Sequence, residues 1–507
     1  SLLVVVLDNT VLNVAMKTIA DPHDGLGASQ SQLEWAINSY TLLFAGLLFT
    51  WGILGDRMGR KRILLTGMAL FGLASLASAY AQNPGELIAA RALMGFGGAA
   101  VMPATLSIIS NIFDPRERGK AIGAWAGSVG IGIAVGPILG GVLLEHFWWG
   151  SVFLINVPVV IAGIVAIVAM VPESSDPVAR KIDVVGVLLS VLGLVLLVYG
   201  IIKGGDLGTF SKPEVWGSIL LGVLVLAGFI LYERQSDHPA LDVKLFRNSR
   251  FAAGAGAIGV TFFTGLGVMF FMSFYLQLVR GYSPVRTGLL FLPFAAAQLI
   301  VAPRSAALVK RYGPKVICAT GIVLMAVGFV GYLMMDATSP ILLLLIAFLV
   351  QGVGMALVNP AATESIMSTV PREQAGIGAA VGNTVRQVGG ALGVAILGTV
   401  LSSVYRNQID PHLGVLPPAT RHTASESVAA TYGVAEKVGP SAAPVIPHAN
   451  DAFINAMHWA AAGSLTIGLL GALVVAIYLP GRSKPSQGST QDTSVSEGLS
   501  EEVFVEA

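Results

Sequence analysis

Apolar runs of about the length of a bilayer crossing recur from one end of this chain almost to the other. A helix needs roughly 20 apolar residues to cross about 30 Å of hydrocarbon. Such runs stand from the start to Met16 and at 36–54, 63–80, 87–112, 121–144, 151–171, 184–202 and 216–232. They continue at 252–278, 287–309, 316–335, 341–367, 376–404 and 456–479, fourteen in all. Backbone in lipid must satisfy its own hydrogen bonds, so runs of this length read as helices. The expectation is an all-α polytopic membrane protein. Only 12% of residues are charged, about half the share of a soluble domain, which leaves too little polar surface for a water-exposed body.

The first run would rise only about 24 Å as a helix, so the natural protein is expected to extend further towards its N-terminus. A cleaved signal peptide is the alternative, but no small-residue cleavage site follows and Asp8 sits badly in an apolar core. Lys and Arg set the orientation of the whole. One set of connections, together with the C-terminal tail, holds nineteen of them: Arg57–Arg62, Arg116–Lys120, Arg180–Lys181, Arg234–Arg250, Lys310–Lys315, Arg372, Arg482 and Lys484. The opposite set holds eight: Lys17, Lys203, Lys212, Arg280, Arg286, Arg406, Arg421 and Lys437. The richer set is expected in the cytoplasm, with both termini. That requires an even number of spans, and fourteen fits.

Other function classes are excluded or weakened by what is scarce. A net charge of +1 gives no reason to expect nucleic acid as a partner. One cysteine, Cys318, rules out an internal disulfide, and the seven histidines show no metal-ligand spacing. No catalytic, metal or cofactor site is expected. Residues 405–452 read as a long external loop, with a short helix over Ser425–Val438 and an irregular, Pro-rich remainder. The Ser- and Glu-rich tail, 480–507, reads as disordered.

A turn recurs. Gly55-Asp-Arg-Met-Gly-Arg-Lys follows the second run, and Val309-Lys-Arg-Tyr-Gly-Pro-Lys follows the tenth. Removing runs seven and eight leaves two six-span halves with these turns in equivalent places, as in transporters built from duplicated halves. The expected organisation is an N-terminal bundle over 1–171, an inserted pair with its linkers over 172–250, and a C-terminal bundle over 251–479.

Four stretches carry more than topology. Gly52-Ile-Leu-Gly-Asp-Arg-Met-Gly-Arg-Lys-Arg-Ile-Leu64 combines glycines that permit a tight turn with Asp56 among Arg57, Arg60 and Lys61, able to form charge-assisted bonds that break and reform. The fifth run holds Gly123, Gly132, Gly136, Pro137, Gly140 and Gly141, a bend within a closely packed helix. The first holds Leu7-Asp-Asn-Thr-Val-Leu-Asn-Val-Ala15. Its Asp8 is an ionisable group inside the bilayer, which needs a partner or a wet cavity and reads by default as functional. The fourth begins Leu87-Ile-Ala-Ala-Arg-Ala-Leu-Met-Gly, and Arg91 is the natural partner. It starts about 6–8 Å below its helix end and Asp8 about 12–15 Å below its own, a gap an Arg stem can span.

Together these stretches resemble the fourteen-helix drug/proton antiporters of the major facilitator superfamily, across nearly the whole chain and in the expected order. The resemblance implies the major facilitator fold, two six-helix bundles plus two inserted central helices. It implies a cytoplasmic latch in which Asp56 is the acidic partner, an antiporter motif in the fifth span, and proton coupling at Asp8 and Arg91. Two departures stand out: Met16-Lys17 replaces Leu-Pro at the exit of the first span, and Met94 replaces a Gln, removing a polar contact near Arg91. Lys310 stands where the second turn usually has an acid, so that turn is expected to lack the latch.

Gln374–Gly393 and Tyr275–Pro284 resemble the thirteenth span and the ninth-span exit of the same branch. Asn13, Glu364, Asn383 and Arg386 are candidate coupling or substrate residues, each as readily an interfacial or packing group. Arg304 reads as snorkelling. Phe44, Phe270, Phe271 and Tyr275 suit a greasy cavity, but none is assigned to substrate. The function so implied is proton-driven export of small amphipathic compounds, cations among them, by a monomer in a bacterial inner membrane. The energy source is the proton gradient, and no cofactor is needed. A lipid or envelope-precursor flippase on the same fold and a non-transporting membrane sensor are the alternatives. An enzyme is the remotest class.

Overall fold

The computed structural model describes residues 2–112, 132, 135–175, 183–236, 243–370 and 375–479. Among them the secondary structure is helical throughout. Six helices open the chain: α1 (Leu2–Ala20), α2 (Gln30–Met58), α3 (Arg60–Ala79), α4 (Pro84–Ile112), α5 (Val135–His146) and α6 (Ser151–Met170). A pair follows, α7 (Val184–Leu207) and α8 (Pro213–Gln235). Six more complete it: α9 (Ser249–Phe274), α10 (Leu292–Tyr312), α11 (Pro314–Leu333), α12 (Ile341–Met367), α13 (Ala375–Ile409) and α14 (Val445–Tyr478). A short helix, Pro284–Leu290, leads into α10.

Twelve of the described helices are long and apolar enough to cross a membrane. They become thirteen when α2, bent by 51° between Gln30–Leu48 and Thr50–Met58, is taken as one span. The expected run 121–144 is represented by α5 and Gly132; its beginning, with Gly123, lies outside the described residues. Arg116–Lys120, Arg180–Lys181, Arg372 and the tail 480–507 lie outside them too.

The helices start and stop where local chemistry dictates. Ser29 and Gln32 form a reciprocal capping box at the start of α2. Gly59, at φ +109°, takes the chain from α2 into α3 with no intervening loop. Gly313, at φ +86°, does the same between α10 and α11. In both turns the glycine N–H bonds the carbonyl four residues back, Gly55 in one and Val309 in the other, so the two halves reuse one device.

Helices α2 and α3 pack on α4, and α3 on α6; α11 packs on α12 and α14, and α9 on α13. Of the α7–α8 pair, α7 lies against α2 and α13, and α8 packs on α7. Small residues allow these approaches: a Cβ on Gly95 of α4 would stand 2.3 Å from the Tyr40 carbonyl oxygen, and one on Gly393 of α13 2.0 Å from that of Phe263.

The segment between α13 and α14 departs from expectation. α13 runs on to Ile409 and α14 begins at Val445, so the interval between spans is shorter than 405–452. The expected single helix over Ser425–Val438 is instead two, Pro418–Glu426 and Val428–Val438, broken at Ser427. Ser427 is extended and caps the second helix by accepting from the Ala430 N–H. The prolines expected to leave the flanks irregular open helical turns, at Pro418 and Pro440, where a missing N–H costs nothing.

Candidate functional site

Asp8 and Arg91 meet in the interior of the first six helices, with exposures of 2% and 0%. Arg91 Nη1 donates to Asp8 Oδ2, and Arg91 Nε donates to the Ala36 carbonyl at 3.1 Å. The guanidinium lies 4.5 Å from the centre of the Tyr40 ring, a favourable cation–π distance. Met94 replaces part of the contact a Gln would supply, its Sδ standing 3.8 Å from Arg91 Nη1 and 3.4 Å from Ser78 Oγ.

The other oxygen of Asp8 is held from α6. Asn156 Nδ2 donates to Asp8 Oδ1 at 3.2 Å and to Ser75 Oγ of α3 at 3.1 Å, and Ser75 in turn donates to the Phe153 carbonyl at 2.8 Å. Asn156 projects from a break in α6 after Leu154. The acid therefore touches α4 and α6 directly and α3 through one amide. Sequence reasoning paired Asp8 with Arg91 but missed Asn156, Ser75 and Tyr40. A lone Asn six residues into an apolar run was the available signal, by the same logic that singled out Asp8.

At the other end of α2, Arg60 Nε and Nη2 both bond Asp56 Oδ1, at 2.9 and 2.8 Å. The turn also engages an acid that sequence reasoning overlooked. Glu173, just beyond α6, accepts from the Lys61 N–H at 3.1 Å and stands 3.5 Å from Arg62 Nε. Arg60 N–H bonds the Ser174 carbonyl at 2.8 Å, and Lys61 Nζ the Val168 carbonyl at 3.0 Å. A Cβ on Gly59 would stand 2.6 Å from Glu173 Oε1, and Gly52 and Gly55 only border Pro103 and Ile63. In the second half, Lys310 makes no ion pair among the described residues.

The fifth-span glycines form the face on which α1 lies. Cβ atoms at Gly132, Gly136 and Gly140 would stand 2.8 Å from Val6, 1.9 Å from Thr10 Oγ1 and 2.9 Å from Val11. Thr10 Oγ1 is close enough to donate to the Gly132 carbonyl, at 3.2 Å. Gly141 faces the other half instead, where a Cβ would stand 2.6 Å from the Val285 Cα, and a Cβ on Gly288 would reach the Pro137 carbonyl oxygen at 2.3 Å. The motif thus packs α5 against α1 on one side and against Pro284–Leu290 on the other.

A family model described as Major Facilitator Superfamily matches residues 1–394. The chain belongs to the major facilitator superfamily. Among superfamily relatives, it is 34% identical to the multidrug efflux pump LfrA of Mycolicibacterium smegmatis, over 94% of both chains. It is 33% identical to the methyl viologen resistance protein SmvA of Salmonella typhimurium, over 91% of this chain and 93% of that one. With the tetracenomycin C resistance and export protein of Streptomyces glaucescens it shares 34%, over 79% and 74%. Among solved structures, a bacterial homologue of the human lysosomal transporter Spinster, inward-facing and unoccupied, has the same fold. Its TM-score is 0.63 at 15% identity, covering 94% of this chain and 96% of that one.

The remaining superfamily candidates are not gathered at Asp8. Asn13 lies one turn and a half along α1, where its carbonyl accepts from Ser273 Oγ of α9, and Val14 O accepts from Gln277 Nε2 at 2.8 Å. Arg386 Nη1 bonds Asn383 Oδ1 at 2.9 Å within α13, its guanidinium lies 5.0 Å from the Phe262 ring centre, and its Nε has no partner among the described residues. Glu364 is exposed and apart from both. Arg304 is exposed and bonds within its own helix. Phe44, Phe270, Phe271 and Tyr275 are buried in packing. A further acid was missed: Glu34 of α2, 2% exposed, beside a small cleft with Gln30, Asp206, Arg406 and Glu426. An apolar cavity of about 490 Å³ lies between α2, the α7–α8 pair and α9, α13 and α14, lined by Gly46, Leu194, Phe229, Phe263, Val388 and their neighbours.

Proposed function

We propose that this chain exports small amphipathic drugs or toxic compounds in exchange for protons, by alternating access about its two halves. The observation that carries the reading is the buried Asp8–Arg91 pair. A carboxylate isolated from water and held by one guanidinium can change charge only by taking a proton, and doing so removes the attraction that fixes Arg91. Protonation from outside leaves Arg91 with the Ala36 carbonyl and the Tyr40 ring and frees α1 to move on the glycines of α5. Proton release to the inside restores the pair. The names of the relatives, an efflux pump and two resistance proteins, support export as the direction and drugs as the cargo. An apolar cavity of about 490 Å³ suits such a cargo.

The distribution of Lys and Arg supports cytoplasmic termini in a bacterial inner membrane. In that orientation the bonds from Ser273 and Gln277 to α1, and the bond from Val285 N–H to Glu145 Oε1 at 3.3 Å, hold the external ends of the halves together. The form described is then closed to the outside. Asp56 with Arg60, and Glu173 with Lys61 and Arg62, would make the latch at the inner end. The proton gradient is the energy source, and a monomer suffices. The test is Asp8→Asn in proteoliposomes, with substrate addition read as quenching of an imposed pH gradient. Proton-driven efflux at the wild-type rate would overturn the coupling role. Leaflet redistribution of lipid without added drug would replace the cargo.

A further inference from the structure

A cavity of about 550 Å³ lies where α1 and α9 end, roofed by the helix Val428–Val438. The roof is fastened on both sides: Tyr432 Oη is within hydrogen-bond distance of the Leu278 carbonyl, at 3.1 Å, and of Asn450 Oδ1, at 3.0 Å. Gly433 rests on Pro22, its Cβ position 3.3 Å from that ring. The space beneath belongs neither to the Asp8 network nor to the apolar cavity beside α7 and α8.

Its polar groups are unspent. Gln277 is 3% exposed; its Nε2 is committed to the Val14 carbonyl, and its Oε1 has no hydrogen-bond partner among the described residues. A buried amide oxygen left unmade is costly and asks for a donor. Among the described residues, Glu436 lines the same space without an ion pair, and so does Asp21, whose Oδ1 accepts there only backbone N–H groups, from His23 and Asp24. Lys17 is the one cation lining the cavity against these two carboxylates among the described residues. Leu278, Pro22 and Ile446 supply apolar wall.

We propose that this vestibule is a second ligand site, which takes a protonated amphipathic amine on the outer face. The ammonium would lie between Glu436 and Asp21, one N–H would reach Gln277 Oε1, and the apolar body would lie on Leu278 and Ile446. The assignment of the outer face rests on the export reading, in which the site holds cargo after release from the bundle. The binding chemistry stands on the lining groups alone.

The test is equilibrium binding of a dansylated alkylamine, cationic through its primary ammonium, with uncharged dansyl amide as control. The full chain is placed in nanodiscs of phosphatidylcholine, whose quaternary ammonium carries no N–H to offer Gln277 Oε1. Wild-type protein should prefer the cation. Glu436→Gln and Asp21→Asn should each weaken it about two- to fivefold, as expected for exposed charge pairs, and leave the control unchanged. Lys17→Gln should tighten it by a similar factor, an effect of opposite sign that loss of folding cannot produce. Cation affinity indifferent to all three variants, or equal to that of the control, would overturn the site. Efflux measured on the same preparations separates the two readings. Charge-dependent binding in a protein that exports nothing keeps the site and removes export; export with charge-indifferent binding does the reverse.

Discussion

Removing the charge of Asp8 should cost stability as well as transport, and the structure sets the size of the cost. Breaking a buried ion pair by deleting one partner costs about 3–5 kcal/mol, because the other charge is left uncompensated. Here Arg91 would keep its bond to the Ala36 carbonyl and the face of Tyr40 at 4.5 Å, but both contacts are present in the wild type as well and cancel from the difference. Asp8→Asn is therefore expected to lose about 3–5 kcal/mol. Arg91→Met should lose a comparable amount, since Asp8 would retain only Asn156. The double variant removes both charges and should be more stable than the sum of the single losses predicts, by at least about 1 kcal/mol of coupling. The assay is denaturant unfolding of purified protein in detergent, followed by tryptophan fluorescence. Single losses under about 1 kcal/mol that add without coupling would refute the idea that this pair binds α1 to α4, whatever happened to transport.

Gly136→Val should overpack the α1–α5 contact, where a Cβ already meets Thr10 Oγ1 at 1.9 Å, costing at least about 1–3 kcal/mol with loss of efflux; Thr10→Ala in the same background should recover part of both, read by melting temperature and dye export. Gly59→Ala should cost about 1–3 kcal/mol from its φ of +109°, and Glu173→Ala should relieve the clash but not the strain, so combining them restores stability only partly in the same unfolding assay. The loop after α11 should loosen in acid. Bonds from the Thr338 backbone N–H, the Thr338 hydroxyl and the Ser339 hydroxyl hold the Asp336 carboxyl below its usual range. A depressed acid contributes order above its unfolded value and loses it as pH falls through the folded one. Amide exchange of residues 336–340, corrected for intrinsic rates, should rise below about pH 4 in wild type and be flat in Asp336→Asn.

The spans were legible because lipid imposes one rule, enough apolar residues for one crossing, and each described helix that crosses falls on a run read from hydropathy. The turn at Gly59 and its counterpart at Gly313 were legible because positive φ selects glycine. What escaped was set by three-dimensional neighbours. Asn156, Ser75 and Tyr40 are polar residues of ordinary kind in three different helices, and nothing in their local spacing points at Asp8. Glu173 lies outside any apolar run and bonds a turn more than a hundred residues earlier. The segment between α13 and α14 looked irregular because its prolines were read as helix breakers, when each opens a helical turn.

Among the described residues, the side chains bonded to Asp8 come from α4 and α6, with α3 reached through Asn156. On the proposed coupling, charge at this position is therefore an internal matter of the first bundle: it alters how α1 sits there, not the strength of a bridge between bundles. A sensor of that design needs no matching acid across the interface. On that same proposed coupling, the second half can vary to suit cargo while the first keeps account of protons, so that drift in substrate preference and loss of energy coupling become separable kinds of change.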